Sequence, residues 1–116
     1  MMWDGFNLRK FPRLPLRCRV TLSSEKSKAR YSTATRNVSL GGVCVILGKP
    51  LPKMKVCKII LRMNDRQKPI EAVGRIAWSI ATKQNFKSKK VYDVGIEILE
   101  CPSDQLEKLQ RFLNSR

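Results

Sequence analysis

The stretch KVCKIILRM at residues 55–63, followed by NDRQKP at 64–69 and IEAVGRIAWS at 70–79, decides the fold class. In its first part Cys57, Ile59, Leu61 and Met63 alternate with Lys58 and Arg62, the period of two that lays apolar side chains on one face of a β-strand. The last part repeats the pattern, with Ile70, Ala72, Ile76 and Trp78 on one side and Glu71, Arg75 and Ser79 on the other. Gly74 inside that run predicts a bulge or close packing. Turn-forming residues between two half-buried strands predict an antiparallel hairpin.

The same pattern extends outward. RCRVTL at 17–22 places Cys18, Val20 and Leu22 on one face, ARYSTATR at 29–36 is strand-rich in Thr and Tyr, and VCVIL at 43–47 is a third apolar run. SSEKSK at 23–28 separates the first two, NVSLGG at 37–42 the second and third, and GKPLP at 48–52 ends the third. After a basic loop, KQNFKSKK at 83–90, VYDVGIEIL at 91–99 turns Tyr92, Val94, Ile96 and Ile98 inward. Pro102 and Ser103 then open a helix over 103–115, with Ser103 at the N-cap and Leu106, Leu109, Phe112 and Leu113 on one face. Six short strands and one helix predict a mainly β fold, a six-stranded antiparallel β-barrel with the C-terminal α-helix against an open end or flank.

Pro12 and Pro15 forbid a regular helix or central strand near the start, so residues 1–16 are expected to form a flexible basic N-terminal arm and residues 17–116 the barrel domain. With 24 Lys and Arg against 9 Asp and Glu, the net charge of +15 selects for phosphate-bearing partners but does not choose among them. Four separated cysteines and no histidine argue against zinc and for reduced core thiols, and no metal or cofactor is expected. The chain carries no catalytic loop signature and no close carboxylate pair beyond Glu97 and Glu100, so it is not expected to be an enzyme. There is no apolar run fit for a signal peptide and nothing near the ~18 apolar residues of a transmembrane span, which predicts a cytoplasmic protein.

Two short motifs remain. Arg9 and Arg13, spaced Arg-x-x-x-Arg, offer planar guanidinium groups that grip phosphate or pair with the guanine edge. Asn37, Ser39 and Gly42 are expected to form a compact polar turn with an amide, a hydroxyl and a backbone open to close approach. Either motif alone is ordinary surface. In this order, with strands around the second, they resemble the PilZ domain family, whose motifs are Arg-x-x-x-Arg and Asp/Asn-x-Ser-x-x-Gly. LPKMKVCKIILRM, AVGRIAWS and YDVGIEI are similar to that family's later strands. Two departures stand out: Lys53-Met54-Lys55 where a glycine is common, and Ile98 where Phe is common.

The resemblance implies a split-barrel-type six-stranded fold that binds the bacterial second messenger cyclic di-GMP. It further implies that Arg9 and Arg13 contact guanine and phosphate, with Lys10 as a further cation, while Asn37 and Ser39 bond guanine or ribose-phosphate and Gly42 shapes their loop. An arm supplying half of a site must order when ligand arrives, which would couple binding to regulation of a downstream protein partner. Leu8, rather than another arginine, precedes Arg9, which favours one ligand molecule per site. The rival reading is a sequence-tolerant nucleic-acid-binding small β-barrel. It is disfavoured because Trp78, Tyr92 and Phe112 are expected on apolar faces, leaving few stacking platforms.

Overall fold

The computed structural model describes residue 15 and residues 17–24, 30–63, 67–86 and 89–114, with the backbone alone for 83–86 and 89. Arg9, Lys10 and Arg13 lie outside the described residues, as does all of the expected arm except Pro15. The elements are β1 (Arg19–Ser23), β2 (Arg30–Val38), β3 (Gly42–Leu47), β4 (Val56–Arg62), β5 (Ile70–Phe86), β6 (Lys89–Glu100) and α1 (Ser103–Asn114).

All strand pairs are antiparallel, in the order β1-β2-β3-β6-β5-β4, and β4 returns to β1 through Val20↔Leu61 and Leu22↔Ile59, so the sheet closes into a barrel. The alternation seen in the sequence explains the closure. Val20, Leu22, Val45, Ile59, Leu61, Ile76, Val94 and Ile96 each keep at most 2% of their surface, because a closed sheet gives every strand's apolar face the same interior. Burying each of these side chains stabilises the fold by roughly 1.5–3 kcal/mol. Closure also leaves no open sheet edge along the paired segments.

α1 is tied to the start of β5, where the Gln105 side-chain oxygen accepts the Glu71 N–H at 3.3 Å. Leu109, 1% exposed, joins the barrel's buried cluster, and Phe112 and Leu113 pack against it. Leu106, expected on the same face, stays 37% exposed because it lies at the rim of the stripe in the first turn. The Pro102 carbonyl accepts the Leu106 N–H at 2.9 Å, so Pro102 caps the helix and Ser103 stands one residue inside it.

Four details differ from the sequence reading. The basic stretch 83–90 is not a simple loop: β5 runs to Phe86 and pairs with β6 through Asn85↔Lys90 and Phe86↔Lys89, since an available partner strand outweighs polar side chains. Asn37 lies in β2, not in the turn, and faces Cys44 across β3; Gly42 opens β3. Trp78 is not on the inner face. Ile76 pairs with Ile96 but Trp78 pairs with Gly95, so Ala77 is a bulge that shifts the phase by one and turns the indole to the outer wall.

The fourth difference concerns Met54, which adopts φ 73. The backbone holds it there: its N–H donates to the Ile76 carbonyl at 2.7 Å, and the Ile76 N–H donates to Lys55 at 2.9 Å. This is the segment where the resemblance leads one to expect a glycine, and a side chain in that left-handed region costs about 1 kcal/mol.

None of the four cysteines is in a disulfide. Cys18 and Cys57 belong to the interior, and burial pushes the Cys57 thiol up to about 11. Cys44 is buried too, but on the outer face, between the inward Val43 and Val45. Among the described residues no helix is long and apolar enough to cross a membrane.

Candidate functional site

The turn between β2 and β3 is three residues, Ser39 to Gly41, and Ser39 organises it. Its hydroxyl oxygen accepts the N–H groups of Gly41 at 3.1 Å and Gly42 at 3.2 Å, and the hydroxyl donates to the Gly42 carbonyl at 3.4 Å. The Ser39 N–H donates to the same carbonyl at 2.9 Å, and the Gly41 carbonyl accepts the Ile98 N–H at 2.9 Å. Ser39 is fully buried, so in this conformation its hydroxyl holds the turn against β6. Gly42 is equally structural. A Cβ there would collide with the Ile96 carbonyl, so the missing side chain serves the close approach of β3 to β6.

Side chains on the outer wall fall into rows set by the strand registers. One row runs Asn37, Cys44, Gly95, Trp78 across β2, β3, β6 and β5. Beside it lies the row Gly42, Glu97, Arg75, and on the other side Ile46, Asp93, Ile80. The Trp78 indole occupies the space a side chain at Gly95 would fill, since a methyl group there would meet its Cδ2, Cε2 and Cζ2 atoms. Asn37, Gly42, Cys44, Trp78 and Glu97 line one shallow depression.

Two carboxylates set the electrostatics of this wall. Asp93 accepts from three donors: Arg36 Nη1 at 3.2 Å, Cys44 Sγ at 2.7 Å and Trp78 Nε1 at 3.4 Å. Glu97 accepts from Arg75 Nη2 at 2.6 Å, in a pair that is about one-third and one-fifth exposed. Both wall arginines are therefore matched by carboxylates, and these four side chains sum to zero charge. The wall offers a half-buried aromatic face and polar edges, not excess cation. No group of three or more His, Cys, Asp or Glu side chains that could hold a metal ion occurs among the described residues.

Asn37, Ser39 and Gly42 are thus brought together, with Asn37 alone of the three presenting an accessible side chain. Arg9 and Arg13 lie outside the described residues. Sequence reading missed Trp78, Arg36, Asp93, Cys44, Glu97 and Arg75 as neighbours of this turn. The sequence held one signal: a glycine inside a strand, Gly95, marks a place where another group approaches closely.

A family model for the PilZ domain matches residues 7–115. The chain belongs to the PilZ family. The match spans both Arg-x-x-x-Arg and Asn-x-Ser-x-x-Gly. Solved structures share the PilZ fold at low sequence identity. The inhibitor of motility MotI/DgrA of Bacillus subtilis has a TM-score of 0.69 at 21% identity, over 93% of this chain and 52% of that one. MrkH of K. pneumonia in complex with c-di-GMP has 0.76 at 17%, over 92% and 50%. The PilZ domain of YcgR from Escherichia coli with c-di-GMP has 0.74 at 14%, over 92% and 89%. The chain spans about half the length of the MotI and MrkH chains it matches. No curated protein matches it.

Within this PilZ domain the seat of Trp78 on Gly95 is testable. In a Trp3→Phe background, which leaves Trp78 as the sole tryptophan, Gly95→Ala is expected to shift the fluorescence emission to the red as the indole is lifted into water. A loss of stability of about 1–2 kcal/mol should accompany it. Emission unchanged from the parent would mean that the indole does not rest on Gly95.

Proposed function

We propose that this PilZ domain is a receptor for cyclic di-GMP in the bacterial cytoplasm, and that the Asn37–Trp78 wall receives a guanine while Arg9 and Arg13 meet guanine and phosphate. One observation carries the reading. Asn37 and Gly42 of the motif line the same depression as an outward tryptophan, and both arginines of the wall are already paired with carboxylates. A purine can stack on an indole face and bond to an amide at its edge, each such stack being worth ~1–3 kcal/mol. The two phosphate charges still need cations, and the Arg-x-x-x-Arg motif is the matching source.

Ser39 and Gly42 then act by shaping the turn that follows Asn37, in keeping with their burial. Binding draws residues 1–16 over the wall, and the rearranged surface is what a downstream protein partner reads. No catalytic step and no cofactor are assigned; cyclic di-GMP is a ligand. The c-di-GMP complexes of the YcgR PilZ domain and of MrkH support the reading through the shared fold.

The outward turn of Trp78 also removes one argument against a nucleic-acid binder, since it supplies a platform the sequence reading had placed in the core. Calorimetric titration with cyclic di-GMP, cyclic AMP, GTP and short single-stranded DNA separates the two. The expected outcome is one cyclic di-GMP per chain with micromolar or tighter affinity, about −8 kcal/mol or better, and much weaker binding of the others. DNA binding that falls steeply with salt and ignores cyclic di-GMP would replace this reading with the rival.

A further inference from the structure

A second surface lies on the β4–β5 part of the wall, next to the row Gly42, Glu97, Arg75, since Val56 on its rim pairs with Arg75. It is an open groove of about 670 Å³ whose lining includes Met54, Val56, Ala72, Val73 and Pro102. Met54 and Val56 are 58% and 52% exposed, neighbouring apolar side chains left in water at the groove's rim. Met54 stays there in a left-handed backbone conformation that a glycine would adopt without strain. A side chain that is both strained and exposed contributes nothing evident to the fold, and such outliers cluster at functional surfaces.

The charges around the groove identify its occupant. Lys53 and Lys55 flank Met54, both are exposed, and neither has a carboxylate partner among the described residues. Lys58 further along is already paired with Glu71 at 2.9 Å, and Glu100 stands at the Pro102 end. The groove's charge is therefore graded along its length, with unpaired lysine at the Met54 end and a carboxylate at the Pro102 end. A second copy of this chain is disfavoured, since each carries +15 and would bring lysines against lysines. Methionine and lysine beside an apolar trough suit a polypeptide with apolar anchors and acidic neighbours.

We propose that this groove docks an acidic polypeptide segment of a partner protein, with its apolar anchors over Met54, Val56 and Val73 and its carboxylates over Lys53 and Lys55. Docking does not require the messenger site. The probe is a short synthetic peptide with two leucines followed by a run of glutamates, added to the isotope-labelled protein without cyclic di-GMP, with backbone amide shifts as the readout. Shifts are expected at Met54, Val56 and Val73, about fivefold weaker binding of the peptide with glutamines in place of glutamates, and no binding of the lysine version.

Met54→Gly is the decisive variant. It is expected to raise the thermal midpoint by relieving the backbone, while weakening the glutamate peptide by at least tenfold as an interfacial anchor is lost. Loss of binding in a more stable protein excludes unfolding as the cause. Lys53→Glu with Lys55→Glu should reverse the peptide preference. Equal binding of all three peptides, unchanged binding to Met54→Gly, or concentration-dependent shifts at Met54 without peptide, which would indicate a second copy, each overturn the proposal.

Discussion

Gly42→Ala is expected to lower the unfolding midpoint by about 15 °C, corresponding to roughly 3 kcal/mol for a domain of this size. The added Cβ would collide with the Ile96 carbonyl oxygen and press on its carbonyl carbon, and both are backbone atoms that cannot rotate away. Only a shift of β3 from β6 would make room. That shift would strain the Gly42↔Glu97 to Leu47↔Tyr92 register that closes one side of the barrel. Gly48→Ala is the matched control, because a Cβ there meets nothing within 4 Å. Thermal and urea unfolding of the two variants check the difference, and equal midpoints would show that β3 and β6 are not packed this tightly.

Arg13→Ala is expected to weaken cyclic di-GMP binding by at least tenfold by calorimetry, with the unfolding midpoint unchanged. A charge-assisted contact to phosphate or to the guanine edge is worth ~1.5–3 kcal/mol, and tenfold corresponds to about 1.4 kcal/mol. Removing Arg9 and Arg13 together should abolish measurable binding. Arg36→Ala makes the comparison sharp. Arg36 is also an exposed arginine beside the wall, but Asp93 already matches it at 3.2 Å, so its loss should cost no more than about threefold. If Arg13→Ala and Arg36→Ala behave alike, the arm has no privileged role; if Arg13→Ala binds like the parent, the assignment of the arm fails.

The fold was legible because barrel strands announce themselves locally. Cys57, Ile59 and Leu61, or Val94 and Ile96, alternate whatever surrounds them, and the interior only ratifies a face already apolar. The Leu109, Phe112 and Leu113 stripe of α1 was legible for the same reason at a different period. The motif residues could be named from their spacing, yet their tasks could not. Ser39 is expected as a ligand contact from its spacing, and only the fold shows that its hydroxyl also ties its own turn together. Gly42 is expected to shape the loop, and only the fold shows that it is also a seam between two strands.

By itself, then, the sequence determined that this chain makes six amphipathic strands and a terminal helix, and that it carries the paired motifs of its family. Gly74 marked in advance the register shift at Val73/Gly74, but tertiary structure alone decided the shifts at Ala77 and between Thr35 and Asn37, and with them which side of the wall Trp78 and Asn37 face. The physical reason is that a bulge is a property of two strands in register: nothing near Ala77 in the chain says that Trp78 will stand opposite Gly95. The same holds for Asp93, which gathers Cys44 and Arg36 from 49 and 57 residues away. Such a hub exists only once β2, β3, β5 and β6 lie side by side, and no local pattern encodes it.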